Sequence, residues 1–157
     1  MTTAPGFTVR VAASEQDLKA CFAVRTEVFV VEQHVPESIE YDAYDADAVH
    51  LLAEAADGEP LGTGRLLHGA AAAAKSGSPE VGVLGRLAVR EAARGLGVGV
   101  ALVRAIEAEA ARLGLTAVDL GAQIHALGFY ERLGYVAYGP EFQDAGIPHR
   151  AMRRTLP

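Results

Sequence analysis

The chain has 157 residues, of which 50% are hydrophobic and 22% are charged. This length and composition are typical of one globular domain that buries its own core, which excludes intrinsic disorder and a disulfide-stabilised mini-protein. The 14 basic and 20 acidic side chains give a net charge of -6 at pH 7. Because an acidic surface repels a phosphate backbone, we do not expect nucleic acid as a partner.

Targeting and membrane signals are absent from the sequence pattern. The first residues lack the basic stretch followed by an apolar core that defines a secretory signal peptide. No uncharged apolar run reaches the roughly 18 residues that a membrane-spanning helix needs. The single cysteine, Cys21, cannot form an intrachain disulfide, which fits a reducing compartment. We therefore expect a cytoplasmic protein with no membrane partner.

Apolar periodicity predicts alternating strands and helices, the pattern of an α/β or α+β domain with a mixed sheet. Ser14 is predicted to cap the first helix. The acidic segment 32–47 is expected to be a loop, and the alanine-rich segment 69–79 a mobile hairpin connection. The predicted strands cover residues 7–12, 48–56, 61–68, 81–89, 116–120, 135–138 and 150–156, and the predicted helices begin near 15 and cover 97–113 and 124–133.

The most informative segment is a glycine-rich turn between a predicted strand and an amphipathic helix, Arg94-Gly95-Leu96-Gly97-Val98-Gly99. Successive glycines allow positive φ angles and a close approach of the backbone to a ligand. The first turn of a helix also leaves N–H groups unpaired and carries partial positive charge. Together these features predict a cradle for a pyrophosphate, with Arg94 adding a positive charge at its edge. A turn that only redirects the chain into the helix is the alternative.

Two common phosphate-binding loops do not fit this segment. A Rossmann fingerprint requires Gly-x-Gly-x-x-Gly, but the two possible registers place Val100 or Leu102 where the last glycine is needed. A P-loop requires a Gly-Lys pair, which the chain lacks. The turn therefore belongs to neither of these nucleotide-binding classes.

The glycine turn resembles motif A of the GCN5-related N-acetyltransferases (GNAT), in which Arg-x-x-Gly-x-Gly joins a strand to a helix. Residues 85–89 (GRLAV) resemble that family's cofactor-binding strand, and residues 122–123 (AQ) with 128–135 (GFYERLGY) resemble its motif B. Residues 25–36 (RTEVFVVEQHVP) and 146–152 (GIPHRAM) are similar to the subgroup typified by ElaA and YjcF. The resemblance covers almost the whole chain.

This resemblance implies a single GNAT-like domain over residues 1–157, with a mixed, mostly antiparallel sheet of six to seven strands flanked by about four helices. It also implies acetyl-CoA as the acyl donor. The backbone of Leu87, Ala88 and Val89 would pair with the pantetheine arm like an added strand. Gln123 stands where many members carry an asparagine that helps to hold this arm. The pyrophosphate would be held, with the help of Arg94, by the backbone amides of Gly95, Leu96, Gly97, Val98, Gly99 and Val100.

Acetyl transfer to an amine requires a base, an oxyanion donor and a means of stabilising the leaving thiolate. The resemblance assigns the oxyanion donor to a backbone N–H near Leu87 and the general acid to Tyr130, which could instead be a core aromatic. The candidate bases are Glu32, His50 and His149, each of which could also have a purely structural role. No histidine or cysteine spacing indicates a metal site.

These features favour an acetyl-CoA-dependent N-acetyltransferase that transfers the acetyl group directly to a primary amine of a small molecule or peptide. A non-catalytic acyl-CoA-binding sensor is the alternative, and another acyl group or an oxygen acceptor is a third reading. Because family members often pair, a homodimer is an expectation. The acidic run could steer a cationic amine or simply form a solvated face; its members are Glu32, Glu37, Glu40, Asp42, Asp45 and Asp47.

Overall fold

The computed structural model describes residues 2–4 and 6–157, and these residues form one eight-stranded sheet with the order β1-β2-β3-β4-β5-β6-β8-β7. Every neighbouring pair is antiparallel except β5 and β6, which are parallel. The mixed, mostly antiparallel sheet is thus confirmed, with one strand more than expected. The strands are β1 (Thr2–Ala4), β2 (Phe7–Val11), β3 (Val49–Ala55), β4 (Pro60–Leu67), β5 (Val81–Val89), β6 (Ala117–Gln123), β7 (Val136–Asp144) and β8 (Ile147–Thr155).

Five α-helices are present in the described residues, and none is long and apolar enough to cross a membrane. Ser14 caps the first of them by accepting a hydrogen bond from the backbone N–H of Asp17, as predicted. A π-helical segment, Thr26–Glu32, continues this first helix without a break. The helices are α1 (Glu15–Arg25), α2 (Glu37–Glu40), α3 (Gly69–Ser76), α4 (Val98–Arg112) and α5 (Leu127–Arg132).

The sheet has a core on each face. On one face the apolar stripe of α4 is fully buried, and Val103 and Ile106 are 0% exposed. On the other face Val24 of α1 and Val28 of the π-helical segment pack against Ala88 of β5. Because side chains alternate across a strand, each strand can serve both layers.

The segment predicted to be a mobile connection is instead helical, so that expectation was wrong. Its alanines favour helix and their small side chains let α3 lie close to β5, with Ala72 fully buried. Gly77 ends the helix in the left-handed conformation at φ 85°. The Ser76 hydroxyl then ties the end of α3 to the carbonyl of Val81 at 3.1 Å.

The acidic segment is also more ordered than the sequence indicated, because a buried arginine organises it. Arg25 is 0% exposed and donates to Glu40 Oε1 at 2.6 Å and to Asp45 Oδ1 at 2.7 Å. Arg65 adds bonds to Asp42 Oδ1 at 2.7 Å and to Asp45 Oδ1 at 3.0 Å. Burial alone would raise the pKa of Asp45, but its hydrogen bonds with Arg25 and Arg65 outweigh burial and lower the pKa. Most of the run therefore forms internal ion pairs and is neither a solvated face nor a free steering surface.

Candidate active site

The parallel strands β5 and β6 separate half-way along their length and open a cleft of about 1100 Å³. They pair only from Val81 opposite Ala117 to Leu84 opposite Leu120. Beyond that point a bulge displaces β5, because its register with β4 shifts next to Arg65. Within the bulge Arg86 has a φ of +51°, a left-handed conformation that non-glycine residues rarely adopt. The bulge thus bends β5 away from β6 and creates the cleft.

The far end of β5 presents backbone polar groups to this cleft. The N–H of Arg90 bonds to the carbonyl of Leu61 in β4 at 2.9 Å. Because successive residues of a strand point to alternate sides, the amide of Val89 faces away from β4. Consistent with this direction, the Val89 carbonyl accepts a bond from Arg94 Nε at 3.0 Å rather than from β4. This edge can pair with an extended ligand.

The glycine turn forms one end of the cleft and leaves its N–H groups accessible. Gly95 and Gly97 have φ angles of 84° and 85°, and no atom lies within 4 Å of a Cβ built on either. Gly97 is the N-cap of α4 and supplies no side chain to bond the first-turn amides. An incoming anion can therefore reach these amides and the positive end of the helix dipole. The residues present fit a pyrophosphate.

Arg94 and Glu32, predicted as a phosphate contact and a candidate base, bind each other across this end of the cleft. Arg94 Nη2 lies 2.9 Å from Glu32 Oε1 and 2.8 Å from Oε2. Both side chains are partly solvent-exposed, at 44% and 29%. A pyrophosphate seated on the turn would compete with the Glu32 carboxylate for this arginine. The contact makes Glu32 a partner of Arg94.

Gln123 ends β6 and lines the cleft. Its side-chain amide is fully engaged, since Nε2 donates to Gln33 Oε1 at 2.9 Å and Oε1 lies 2.7 Å from His125 Nε2. These bonds tie the end of β6 to the residue that follows the π-helical segment. In this arrangement Gln123 joins the two walls of the cleft.

Tyr130 lies on α5 and reaches the cleft between two other aromatic rings. It is 8% exposed and meets Phe129 edge-to-face at a centroid distance of 5.0 Å and Tyr135 at 5.9 Å. Burial raises the pKa of Tyr130 to about 12, so its phenol stays protonated at every physiological pH. Its hydroxyl makes no hydrogen bond with another described residue, whereas the Tyr135 hydroxyl bonds to Glu107 at 2.8 Å. Tyr130 is therefore a free donor at the cleft and Tyr135 is a structural tyrosine.

The two histidines considered as bases have different positions. His50 lies in β3 outside the cleft lining, with Nε2 2.9 Å from the carbonyl of Asp45 and its ring against Phe22. It braces the buried charge network and does not reach the site. His149 of β8 lines the cleft and is 8% exposed. Its Nδ1 lies 2.7 Å from the carbonyl of Ile147, which can only accept, so Nδ1 carries the proton and Nε2 has a free lone pair.

The cleft brings together most of the residues predicted to bind the acyl donor. Two are exceptions: the Leu96 side chain is 64% exposed outside the lining, and Val98 is 1% exposed in the core, so each can offer only its backbone. Sequence reasoning also missed residues distant in the chain, including Arg65 and Phe142. The predicted residues that line the cleft are Leu87, Ala88, Val89, Arg94, Gly95, Gly97, Gly99, Val100, Gln123 and Tyr130.

Comparisons with known proteins agree with this geometry. The chain is 40% identical over 146 residues to YjcF of Bacillus subtilis, described as an uncharacterized N-acetyltransferase, across 92% of this chain and 96% of that protein. An acyl-CoA N-acyltransferase from Pseudomonas aeruginosa has a similar structure, with a TM-score of 0.79, 38% identity and coverage of 95% and 98% of the two chains. ElaA of Escherichia coli gives a TM-score of 0.77, 30% identity and coverage of 94% and 97%.

The sheet opens where the parallel strands β5 and β6 separate, next to a glycine-rich turn that can bind an anion. This is the architecture of an acyl-CoA-dependent acyltransferase. Residues 10–156 match the acetyltransferase (GNAT) domain family. The chain belongs to that family, with ElaA-like and YjcF-like relatives. These comparisons support acyl-CoA-dependent acyl transfer as the class of reaction.

Proposed function

We propose that this protein transfers an acetyl group from acetyl-CoA directly to a primary amine of a small molecule or peptide. The proposal rests on the arrangement of the cleft. The unpaired edge of β5 and the accessible amides of the glycine turn line one continuous cleft, and Tyr130 lies in the same cleft. A pantetheine arm needs the first feature and a pyrophosphate the second. A proton donor beside them favours catalysis over the alternative of a non-catalytic sensor.

The donor would be held mainly by backbone. The amide of Val89 would pair with the pantetheine arm, while the Leu87 N–H is left for the acetyl oxygen, and the turn from Gly95 onwards would hold the pyrophosphate. Arg94 would then exchange its bond with Glu32 for one with phosphate, at little cost because this ion pair is partly exposed.

The reaction exchanges a carbon–sulfur bond for a carbon–nitrogen bond. The amine nitrogen uses its lone pair to bond the acetyl carbon, and the electron pair of the broken bond leaves with sulfur. The amine gives one proton to a base and the thiolate gains one, so the products are an acetamide and CoA. The Leu87 N–H stabilises the negative charge that develops on the acetyl oxygen.

Tyr130 would act as a hydrogen-bond donor to the leaving sulfur. A phenol with a pKa of about 12 transfers its proton to a thiolate, whose conjugate acid has a pKa of about 8.5, at an uphill cost of roughly 5 kcal/mol. Stabilisation by a hydrogen bond without complete transfer avoids that cost. The thiolate can then take its proton from water once CoA is released.

His149 is the base that the geometry favours. Its free Nε2 lone pair, fixed by the bond from Nδ1 to Ile147, is what proton abstraction requires. Glu32 binds Arg94, and His50 lies outside the cleft lining.

The proposal is tested by calorimetric titration with acetyl-CoA, with ATP and NAD as controls, followed by thiol release in the presence of amines. Selective micromolar binding with amine-dependent release of CoA is the expected result. Binding without release to any amine would favour the sensor. A folded sample that does not bind acetyl-CoA would refute the assignment of the cleft.

A further inference from the structure

Two buried polar atoms in the cleft lining have no hydrogen-bond partner among the described residues. They are Oε2 of Glu40, whose residue is 1% exposed, and Nε of Arg65, whose residue is 3% exposed. An unpaired buried donor or acceptor is destabilising, and more so when the group is charged. Neither atom has a role in holding the acyl donor.

Arg65 lines the cleft, and the Nε of its guanidinium is buried without a hydrogen-bond partner among the described residues. Its Nη1 is occupied by Asp42 and Asp45, at 2.7 and 3.0 Å. The opposite edge, formed by Nε and Nη2, can hold both oxygens of a carboxylate. Gly85 lies beneath this edge, since a Cβ built there would be 3.8 Å from Nη2. Because Gly85 has no side chain, no Cβ lies against Nη2 at this point.

Glu40 presents a free carboxylate oxygen beside the β5 bulge. Its Oε1 accepts from Arg25 Nε at 2.6 Å and lies 3.6 Å from Arg86 Nε, and its backbone carbonyl accepts from Arg86 Nε at 3.1 Å. These contacts fix the side chain and leave Oε2 for a ligand N–H. Arg25 bonds to both Glu40 and Asp45, and Asp45 bonds to Arg65, so one ion-pair network holds both side chains.

The charge of the cleft lining is balanced, and this limits the class of acceptor. A polyamine would require an excess of acid, and a polyanion an excess of base. The four acidic residues of the lining are Glu32, Glu40, Asp119 and Asp144. The four basic residues are Arg65, Lys75, Arg86 and Arg94.

We propose that the acceptor is a small zwitterionic amine of the amino-acid class, whose carboxylate binds the Nε–Nη2 edge of Arg65 and whose amine donates to Oε2 of Glu40. This inference rests on the proposed function, because it names the acceptor of the same cleft. Acetylation of the amine then yields an N-acetylamino acid and CoA. Arg65 selects for the carboxylate and Glu40 positions the amine.

The test compares acceptors that differ only in the carboxylate. Each set of three, called a triple below, contains an amino acid, its amide and the decarboxylated amine. One triple is alanine, alaninamide and ethylamine, and the other is phenylalanine, phenylalaninamide and phenethylamine. For each, kcat/KM is measured by thiol release and expressed per neutral amine, because the three amines differ in pKa. We expect the carboxylate member to be favoured at least tenfold in at least one triple, the factor that about 1.4 kcal/mol of pairing supplies.

Two variants assign the preference to residues. R65K keeps a charge for Asp42 and Asp45 but removes the bidentate edge, so it should raise KM for the amino acid about tenfold and abolish the preference over the decarboxylated amine. E40Q should raise KM equally for the amino acid and for the decarboxylated amine, because Glu40 contacts the amine that both carry. R112K, on the exposed face of α4, is the matched control and should change neither. Unchanged acetyl-CoA affinity and melting temperature show that each variant is folded.

The outcomes separate this inference from the proposed function. Transfer to amines without preference for the carboxylate overturns the amino-acid assignment and leaves the transferase intact. A preference that survives in folded R65K overturns the role of Arg65. Acetyl-CoA binding without transfer to any member of the panel overturns the proposed function, and the acceptor assignment with it. If R65K does not fold, the comparison of the triples on the unmodified protein still tests whether a carboxylate on the acceptor is preferred.

Discussion

Replacing Tyr130 by phenylalanine removes one hydroxyl from the cleft and leaves the aromatic packing in place. The hydroxyl has no partner among the described residues, and the ring contacts with Phe129 and Tyr135 are retained. We therefore expect Y130F to fold with unchanged stability, within about 0.5 kcal/mol. The change isolates the hydrogen bond that Tyr130 would donate during transfer.

The expected kinetic effect follows from the strength of that bond. A hydrogen bond between a neutral donor and a charged acceptor contributes about 1.5–3 kcal/mol, and each 1.36 kcal/mol is about tenfold in rate. Y130F should therefore lower kcat about 10- to 100-fold while the affinity for acetyl-CoA stays the same. Because burial raises the pKa of Tyr130 to about 12, no tyrosine ionisation should limit kcat below about pH 11.

Tyr135 provides a matched control on the same side of the cleft. Its hydroxyl bonds to the buried carboxylate of Glu107 at 2.8 Å, so Y135F should destabilise the fold by about 1.5–3 kcal/mol with little change in kcat. Calorimetric titration, thermal melting and thiol release are measured on both variants. Unchanged turnover in Y130F would refute its role as a donor to the leaving group, and a loss of kcat in Y135F equal to that in Y130F would show that packing is responsible.

Three further predictions concern the rest of the cleft and its support. E32Q should strengthen acetyl-CoA binding severalfold and keep most of kcat, whereas R94Q should weaken binding about tenfold; a large loss of kcat in E32Q would instead return Glu32 to the role of base. H149Q should lower kcat about 100-fold or more at unchanged acetyl-CoA affinity, and wild-type turnover would exclude His149. R25M should cost about 3–5 kcal/mol in urea unfolding, because it leaves buried carboxylates unpaired. Since Arg25 lowers the pKa of Asp45 below its ordinary 3.8, this stabilisation should be complete above about pH 4 and fall as the pH drops further; an equal R25M deficit at pH 7 and pH 3 would contradict it.

The buried charge network shows where sequence patterning has a limit. Polar and acidic residues between helices usually mark a solvated loop, so the pattern gave no sign that Arg25 is 0% exposed. The segment is ordered because its carboxylates form ion pairs with buried arginines. Asp45 and Arg65, for example, are 20 positions apart and come together only when the chain folds. His50 bonds to the backbone carbonyl of Asp45, so it supports this network and lies outside the cleft lining.

The sequence by itself determined the elements that rest on local rules. Strand alternation, the Ser14 cap, the amphipathic α4 and the positive φ of Gly95 and Gly97 all follow from interactions within a few residues, which is why the glycine turn and its anion chemistry could be read directly. Only the tertiary structure decided how deep the cleft is, that Arg94 binds Glu32, and that Glu40 and Arg65 each keep a free polar atom within it. The physical reason is that burial and ion pairing depend on which distant segments the bulge in β5 and the packing around it bring together.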